Sequence, residues 1–316
     1  EAARMGFQRA YLPRRAVPAE SAWAMRRDEM RAPGGRGAGY LGPEGSFSHA
    51  AARRWASLHP EVGALVPFPD LPSLFAAAAR GEVACAVCPL ENSLEGSVVL
   101  TLDLWLHEST LAQVGEVTVP VEQWVLVRPG VRLSDVNRVL SHPQALMQCR
   151  RTLQALLPGV PMETVSSTAE AARRVASSDQ PWAAVAAAEA AARHGLAVAF
   201  GPAQDGGPNA TRFGVLAHGW AAPTGRDRTT LVVGSLQDRP GLLRDLLDVF
   251  ASRGLNLTRI ESRPSREGLG RYLFLVDLEG HVSDPAVRAA LREVRRQVGY
   301  LRVLGSYPRD GGTPAP

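Results

Sequence analysis

The sequence predicts an α/β protein that consists of a two-lobed domain and a smaller C-terminal domain. Three observations support this class. Apolar strand-like stretches alternate with amphipathic helices from residue 39 to residue 219. A long extended segment lies at 114–128, and the chain returns past it at 196–218, which suits two lobes joined by crossing strands. After residue 219, about eighty residues follow the order βαββαβ, which is typical of a ferredoxin-like domain.

The elements of the lobes follow from local signals. A short strand ends at Tyr40-Leu41, and a Gly-Pro-Glu-Gly turn leads to a helix through Leu58 with Ser46 or Ser48 as its N-cap. The stretch VACAVCPL has the continuous apolar character of a buried parallel strand. In RVLSHPQALMQC we expect a strand, a turn and a helix, with Ser141 as the N-cap and Pro143 in the first turn.

The C-terminal helices each carry one apolar stripe, which predicts that they pack on a sheet. The first stripe is Leu242, Leu243, Leu246, Leu247 and Phe250, and the second is Val287, Leu291, Val294 and Val298. We predict a tail at 1–38 that is disordered, a catalytic domain at 39–219 and a C-terminal domain at 229–308. Within the catalytic domain, lobe 1 is predicted at 39–115 and 199–219, and lobe 2 at 116–198.

The charge and the residue types exclude several classes of function. Residues 1–36 hold eight arginines and four acidic residues, which equals the net charge of +4 of the whole chain, so the body has no basic excess for nucleic acid. No apolar run approaches the length of a membrane span. The chain has no lysine, which excludes a Schiff-base lysine and a P-loop lysine. Cys85 and Cys88 lie three apart on a predicted strand and so face opposite sides, which argues against a shared metal.

Three polar loops each follow a predicted strand and open onto a predicted helix: GPEGSFS, PLENSLEGS and SHPQA. Free N–H groups and the helix dipole at such positions favour anions. Ligands of open α/β sheets bind beyond the carboxyl ends of the strands. The sequence therefore predicts a small, negatively charged ligand in a cleft between the lobes.

The motifs GPEGSFS, PLENSLEGSV, SHPQALMQC and NATRF, in this order, resemble those of the prephenate dehydratases. The segments DRPGLLRDLL and LNLTRIESRP resemble the regulatory ACT domain that these enzymes carry. The resemblance covers roughly residues 39 to 308. It implies that the catalytic domain has the fold of a periplasmic binding protein. It also implies that the activity is that of a carbon-oxygen lyase in phenylalanine biosynthesis. Prephenate would become phenylpyruvate with loss of carbon dioxide and water, and no cofactor or metal would be required.

The resemblance also implies the residues of the site. Thr211 would donate a hydrogen bond to the departing hydroxyl, and Arg212 would bind a substrate carboxylate. The other catalytic candidates are Glu91, Asn92 and Ser93. The substrate-binding candidates are Glu44, Ser46, Phe47, Gly96, Ser141, His142, Gln144 and Phe213. We expect Asn209 to shape the turn, although Asn-Ala-Thr also matches an N-glycosylation acceptor of secreted chains.

The ACT resemblance implies feedback control by phenylalanine. The implied effector-binding residues are Gly241, Leu242, Glu261, Ser262, Arg263 and Pro264. We expect a cytoplasmic homodimer or homotetramer with a small-molecule substrate and no nucleic acid or membrane partner. Three alternatives stay open: arogenate dehydratase, an enzyme that only decarboxylates prephenate, and a sensor of the same architecture without turnover.

Overall fold

The computed structural model describes residues 37–234, 240–266, 268 and 271–310. The predicted disorder of the tail concerns residues that lie almost entirely outside these ranges. The predicted α/β class, with two lobes and a ferredoxin-like C-terminal domain, is confirmed.

Lobe 1 is built on one part of a mixed sheet. Its strands are β1 (Ala38–Leu41), β2 (Leu65–Phe68), β3 (Cys85–Asn92), β4 (Gly96–Ser97), β5 (Ala112–Pro120) and β11 (Ala210–Ala217). They lie in the order β5-β11-β3-β1-β2, and β4 pairs with β3. The helix α1 (Phe47–Leu58) packs on one face, and α2 (Leu71–Ala79) and α3 (Val99–His107) pack on the other. Because both faces are covered, β3 is apolar along nearly its whole length.

Lobe 2 has its own sheet. Its strands are β6 (Trp124–Val127), β7 (Arg138–Ser141), β8 (Met162–Thr164), β9 (Trp182–Ala186) and β10 (Ala197–Phe200), in the order β10-β6-β9-β7-β8. Its helices are α4 (Pro143–Gln148), α5 (Arg150–Leu156), α6 (Thr168–Ser177) and α7 (Glu189–His194). Two short 3-10 helices, Pro60–Val62 and Leu133–Asp135, complete the lobes.

The chain crosses between the lobes at two places. The single extended segment that the sequence predicts is two strands, β5 and β6, that belong to different sheets and are separated by residues 121–123. β5 remains paired with β11 as far as Pro120, beyond the predicted boundary near residue 115. Hydropathy does not report this change of sheet, because both strands are apolar and buried. The return crossing occupies 201–209, directly before β11.

The C-terminal domain consists of β12 (Asp227–Gly234), α8 (Leu242–Ala251), β13 (Leu257–Pro264), β14 (Tyr272–Glu279), α9 (Pro285–Gln297) and β15 (Tyr300–Pro308). Its strands lie in the order β13-β14-β12-β15. The two predicted helical stripes form its core with the sheet, except for Leu243, which is 37% exposed, and Leu247, which is half-buried; neither belongs to the core cluster.

The C-terminal domain is fused to lobe 1 through its last strand. β15 runs parallel to β5 and pairs with it at Gly305 and Gln113, which joins both sheets into one. A Cβ at Gly305 would collide with the backbone oxygen of Gln113, so only glycine permits this approach. The buried guanidinium of Arg302 donates to the carbonyls of Leu106 and Ser109 at the end of α3. These contacts dock one face of the C-terminal sheet on lobe 1.

Candidate active site

A cavity of about 520 Å³ lies between the two lobes. Lobe 1 contributes the start of α1, the end of β3, the β4–α3 junction and β11, and lobe 2 contributes α4 and the residues before α6. The polar residues that line it are Ser46, Ser48, Asn92, Glu95, Ser97, Gln123, His142, Gln144, Gln148, Ser166, Ser167, Thr168 and Thr211. None of the described residues that line it is an arginine.

Thr211 stands at the lobe 1 wall of this cavity. Its backbone is paired on both sides, with Asn92 of β3 and Val119 of β5. Its Oγ1 accepts a hydrogen bond of 3.0 Å from the Nδ2 of Asn92. A threonine hydroxyl that already accepts from an amide still has one proton to donate. The structure therefore leaves the Thr211 proton available to a group in the cavity.

Asn92 is held in one orientation by its neighbours. Its Oδ1 accepts from the backbone N–H groups of Leu94 (3.0 Å) and Glu95 (3.2 Å). Its Nδ2 donates to the Oδ1 of Asn209 at 2.8 Å as well as to Thr211. Because the two ends of the amide have opposite hydrogen-bonding roles, this network fixes which end faces Thr211. Asn92 therefore serves as the donor that orients the Thr211 hydroxyl.

Ser93 and Asn209 support this pair from outside the cavity lining. The hydroxyl of Ser93 donates to the Oδ1 of Asn209 at 3.2 Å and accepts from the backbone N–H of Ala210 at 3.0 Å. Asn209 is 3% exposed and is not among the lining residues. The expectation that Asn209 shapes the turn agrees with these contacts, and Ser93, a catalytic candidate, is placed in a supporting position.

Three helices of eight or more residues begin at the cavity wall. Ser46 and Ser167 cap α1 and α6, where their hydroxyls accept from the backbone N–H groups of His49 and Glu170. Val98 precedes α3 and has no side-chain capping bond. The positive ends of these helix dipoles surround the cavity from both lobes. The cavity is therefore suited to an anionic ligand, although no arginine is among its described lining residues.

Arg212 does not face the cavity, contrary to the expectation that it binds the substrate. Neighbouring residues of a strand point to opposite faces, and Thr211 faces the cleft. The guanidinium of Arg212 bonds instead to Glu91 at 2.8 Å and to Asp277 at 2.9 Å, and Glu116 lies at 3.5 Å. Burial disfavours the charge of Arg212, but these carboxylates outweigh it and raise the pKa of the guanidinium. Glu91, a further catalytic candidate, is likewise outside the cavity lining.

The substrate-binding candidates divide into two groups. The cavity is lined by Ser46, Phe47, Gly96, His142, Gln144 and Phe213. Glu44 instead pairs with Arg193 at the surface. Ser141 is buried, and its hydroxyl donates to the carbonyl of Val185 in β9. Ser141 is also not the N-cap, because β7 continues through it and His142 caps α4.

Several lining residues were missed by the sequence analysis. Gln148 lies one turn after Gln144 on α4, and both side chains donate to the carboxylate of Glu95 across the cleft. Ser97 is the last residue of β4, and residues 166–168 lead into the first turn of α6. The Ser-x-x-Glu spacing of Ser167 and Glu170 matches the sequence pattern of a capping box after a strand, and that signal could have identified the α6 wall.

The effector candidates do not lie on a single face of the C-terminal domain. Gly241 precedes α8 with φ +85°, and Leu242 is buried. On β13, Ser262 and Pro264 are exposed, whereas Glu261 and Arg263 face lobe 1. Glu261 accepts from the hydroxyl of Ser97 at 2.6 Å, and Arg263 pairs with Asp103 of α3 at 2.7 Å. The β13 strand therefore contacts a residue that lines the cleft.

A second cavity of about 290 Å³ lies on the other side of the α1 start, lined in part by His49, Arg53, Trp124 and Arg193. It contains neither Thr211 nor Asn92, so we assign the site to the larger cavity.

The described cysteines Cys85, Cys88 and Cys149 are free and buried, and burial raises the pKa of the Cys85 thiol to about 12. Across the described ranges, no His, Cys, Asp and Glu side chains gather as a metal site, and no helix has the length and apolarity to cross a membrane.

The fold and the site together define the class of protein: a two-lobed α/β enzyme with a site for small anions, joined to a ferredoxin-like regulatory domain. The family model of prephenate dehydratase matches residues 38–220, and that of the ACT domain matches residues 229–296. The chain belongs to the prephenate dehydratase family. The prephenate dehydratase of Mycobacterium marinum is 40% identical over 88% of this chain and 91% of its own length.

Two solved structures extend the comparison. The prephenate dehydratase of Arthrobacter aurescens in complex with L-Phe is similar with a TM-score of 0.79 and 37% identity, over 88% of this chain and 92% of that one. A quorum-quenching acylase is also similar, with a TM-score of 0.74 and 29% identity, over 87% of this chain and 99% of that one. The fold thus also occurs in a protein with another named activity.

Proposed function

We propose that the chain converts prephenate to phenylpyruvate, carbon dioxide and water, under feedback control by phenylalanine. The observation that carries the catalytic proposal is the Thr211 hydroxyl at the cleft wall, with its acceptor side occupied by Asn92 and its proton free. Membership of the prephenate dehydratase family supports the same reaction.

The reaction needs alignment and one proton. As the ring carboxylate leaves as carbon dioxide, its bonding electrons enter the ring, and the C4 hydroxyl departs with a proton as water. Thr211 would donate its hydrogen bond to this departing oxygen and stabilise the charge that develops there. A threonine hydroxyl is too weak an acid to supply the proton itself, so the proton would come through another group or water. The aromatic ring of the product drives the step.

The substrate carboxylates would be held by helix N-termini and neutral donors. The starts of α1, α3 and α6 lie in the cavity wall, together with His142, Gln144 and Gln148. Phe47 and Phe213 would pack against the ring. Each anchored carboxylate would restrict the substrate to a reactive orientation, which lowers the entropic part of the activation barrier.

We propose regulation through the C-terminal domain and its strand β13. The similar structure from Arthrobacter aurescens contains L-Phe. Phenylalanine would bind near Gly241 and the exposed residues Ser262 and Pro264 and favour one arrangement of the domains. β13 is the terminal strand of its sheet and exposes Ile260, which supports pairing with a second copy in a homodimer or homotetramer.

We also propose a cytoplasmic location, because the three free and buried cysteines fit a reducing compartment. Arogenate dehydratase is the second candidate, since arogenate carries an amino group in place of the side-chain keto group of prephenate, and the cleft carboxylate of Glu95 could receive an ammonium.

The test is the turnover of prephenate by the purified full chain, followed as phenylpyruvate with and without phenylalanine. We expect product, suppression by phenylalanine and a loss on the order of 100-fold or more in Thr211→Ala. The matched control is Thr164→Ala, an exposed threonine of β8 that does not line the cavity, which should retain turnover.

Four results would overturn parts of the proposal. Near-normal turnover in a folded Thr211→Ala chain would remove Thr211 from the mechanism. Product from arogenate alone would establish the second candidate. Binding of phenylalanine without turnover of either substrate would indicate a sensor, and hydrolysis of an acylated quorum signal would assign the activity of the similar acylase.

A further inference from the structure

A buried cluster of charges lies beneath the catalytic strand, on the face of β11 opposite Thr211. Its members are Arg212, Glu91, Glu116, Asp277 and Arg228. The side chains of Asp277 and Glu116 are only 2% and 4% exposed, so water contributes little to their solvation. The third carboxylate, Glu91, is 38% exposed, and Glu116 is shared between Arg212 and Arg228. The loss of Asp277 would therefore remove the most deeply buried partner of Arg212 and leave its charge poorly compensated.

The cluster joins the two domains. Arg212, Glu91 and Glu116 belong to β11, β3 and β5 of lobe 1, whereas Asp277 and Arg228 belong to β14 and β12 of the ACT domain. Asp277 is anchored in its own sheet, because its Oδ1 accepts from the hydroxyl of Thr230 at 2.7 Å. That hydroxyl lies 2.8 Å from the phenolic oxygen of Tyr307, which is fully buried. The carboxylate that holds Arg212 is thus a rigid part of the regulatory sheet.

The backbone of β11 links the position of Arg212 to that of Thr211. The two residues are adjacent on β11, and the pairing of β11 with β3 shifts register between Arg212 and Phe213. Such an irregularity sets the direction of the side chains around it. A displacement of Arg212 would turn the Thr211 hydroxyl relative to the cavity. A misplacement of about 1 Å can lower a rate on the order of 100-fold.

We propose that Asp277 of the ACT domain is a positioning residue for Thr211 and acts through Arg212. Arg212 does not hold the substrate but transmits the position of β14 to the catalytic strand. Movement of the ACT sheet on binding an effector would then change turnover directly. This inference rests on the proposed function, because it takes Thr211 as the catalytic residue and the ACT domain as the regulatory one.

The test compares Asp277→Asn with Asp103→Asn in the full chain. Both aspartates bridge the ACT domain and lobe 1, but Asp103 lies on α3 and pairs with Arg263 and Arg266, away from β11. We expect kcat for prephenate to fall at least about tenfold in Asp277→Asn, with KM changed less than about threefold. Asp103→Asn should keep kcat within about twofold of the parent chain. Asp277→Glu retains the carboxylate and should recover part of kcat.

Equal kcat in the two asparagine variants would overturn the inference, and so would a rise in KM alone, which would assign Arg212 to substrate binding. If thermal melting shows that Asp277→Asn does not fold, Arg212→Lys decides the question. Lysine keeps the charge but has one nitrogen in place of two, whereas Arg212 bonds to Glu91 and Asp277 through Nη2 and faces Glu116 with Nη1. Parental kcat in folded Arg212→Lys would then overturn the inference. Absence of turnover in the parent chain would instead reject the proposed function.

Discussion

Thr211 and Arg212 show how far a motif predicts a site at the scale of single residues. The sequence indicated that NATRF belongs to the active site, and the structure places Thr211 in the cleft wall. Arg212, which was expected to bind a substrate carboxylate, lies on the opposite face of the strand and pairs with Asp277. Its acidic partner Asp277 is far away in sequence, and no local pattern identifies such a partner.

The orientation of the Thr211 hydroxyl is expected to depend on the amide of Asn92. Asn92→Asp preserves the shape but replaces the Nδ2 donor with an acceptor, so the Thr211 proton would turn toward the new carboxylate and away from the substrate. We expect kcat for prephenate to fall on the order of 100-fold. Steady-state kinetics with thermal melting measure this, and Asn137→Asp, at an exposed position of lobe 2, is the control. A kcat within about twofold of the parent would contradict the proposed hydrogen-bond polarity.

At the scale of elements, β13 shows both the strength and the limit of pattern reasoning. Its existence and its place in the βαββαβ order were predicted. The implied effector motif, however, alternates between two faces, so that Glu261 and Arg263 contact lobe 1 while Ser262 and Pro264 face outward. Only the docking of the C-terminal sheet on α3 and β4 shows which face of β13 contacts lobe 1 and which face is exposed.

Coupling between the ACT domain and the cleft is expected to require the Glu261 contact with Ser97. The carboxylate accepts from the Ser97 hydroxyl and pairs with Arg259 at 2.6 Å, so Glu261→Gln weakens both interactions without a change of size. We expect the ratio of turnover without and with saturating phenylalanine to fall by at least about threefold. Glu293→Gln, in an exposed ion pair of α9, is the control. An unchanged ratio, with phenylalanine binding retained in calorimetry, would show that the coupling takes another route.

At the scale of the whole molecule, the class and the two lobes were predictable, but the joining of the parts was not. Alternating elements and the returning chain predicted two lobes with a cleft. The fusion of the sheets depends on one backbone approach between Gly305 and Gln113, and the crossings depend on where β5 leaves its sheet. Both are long-range pairings without a local composition signal. The same holds for the contacts that bring the two lobes together over the cavity.

The closed arrangement of the lobes is expected to depend on Glu95. This residue of lobe 1 accepts from the side-chain amides of Gln144 and Gln148 on α4 of lobe 2, the latter at 2.7 Å. Hydrogen bonds to a charged group are stronger than neutral ones, so their removal in Glu95→Ala should favour an open cleft. We expect faster amide hydrogen exchange at 93–97 and 143–148 in the ligand-free chain, and a rise of about fivefold in KM for prephenate.

Glu82→Ala is the control for this last prediction, because it removes an exposed carboxylate of lobe 1 that pairs only locally with Arg80. Its exchange pattern and KM should match those of the parent chain. The opposite electrostatic effect is also open to measurement, since a carboxylate in the cavity wall repels a dianionic substrate. A fall in KM with unchanged exchange in Glu95→Ala would mean that repulsion outweighs closure, and Glu95 would then act on the charge of the ligand and not on the position of the lobes.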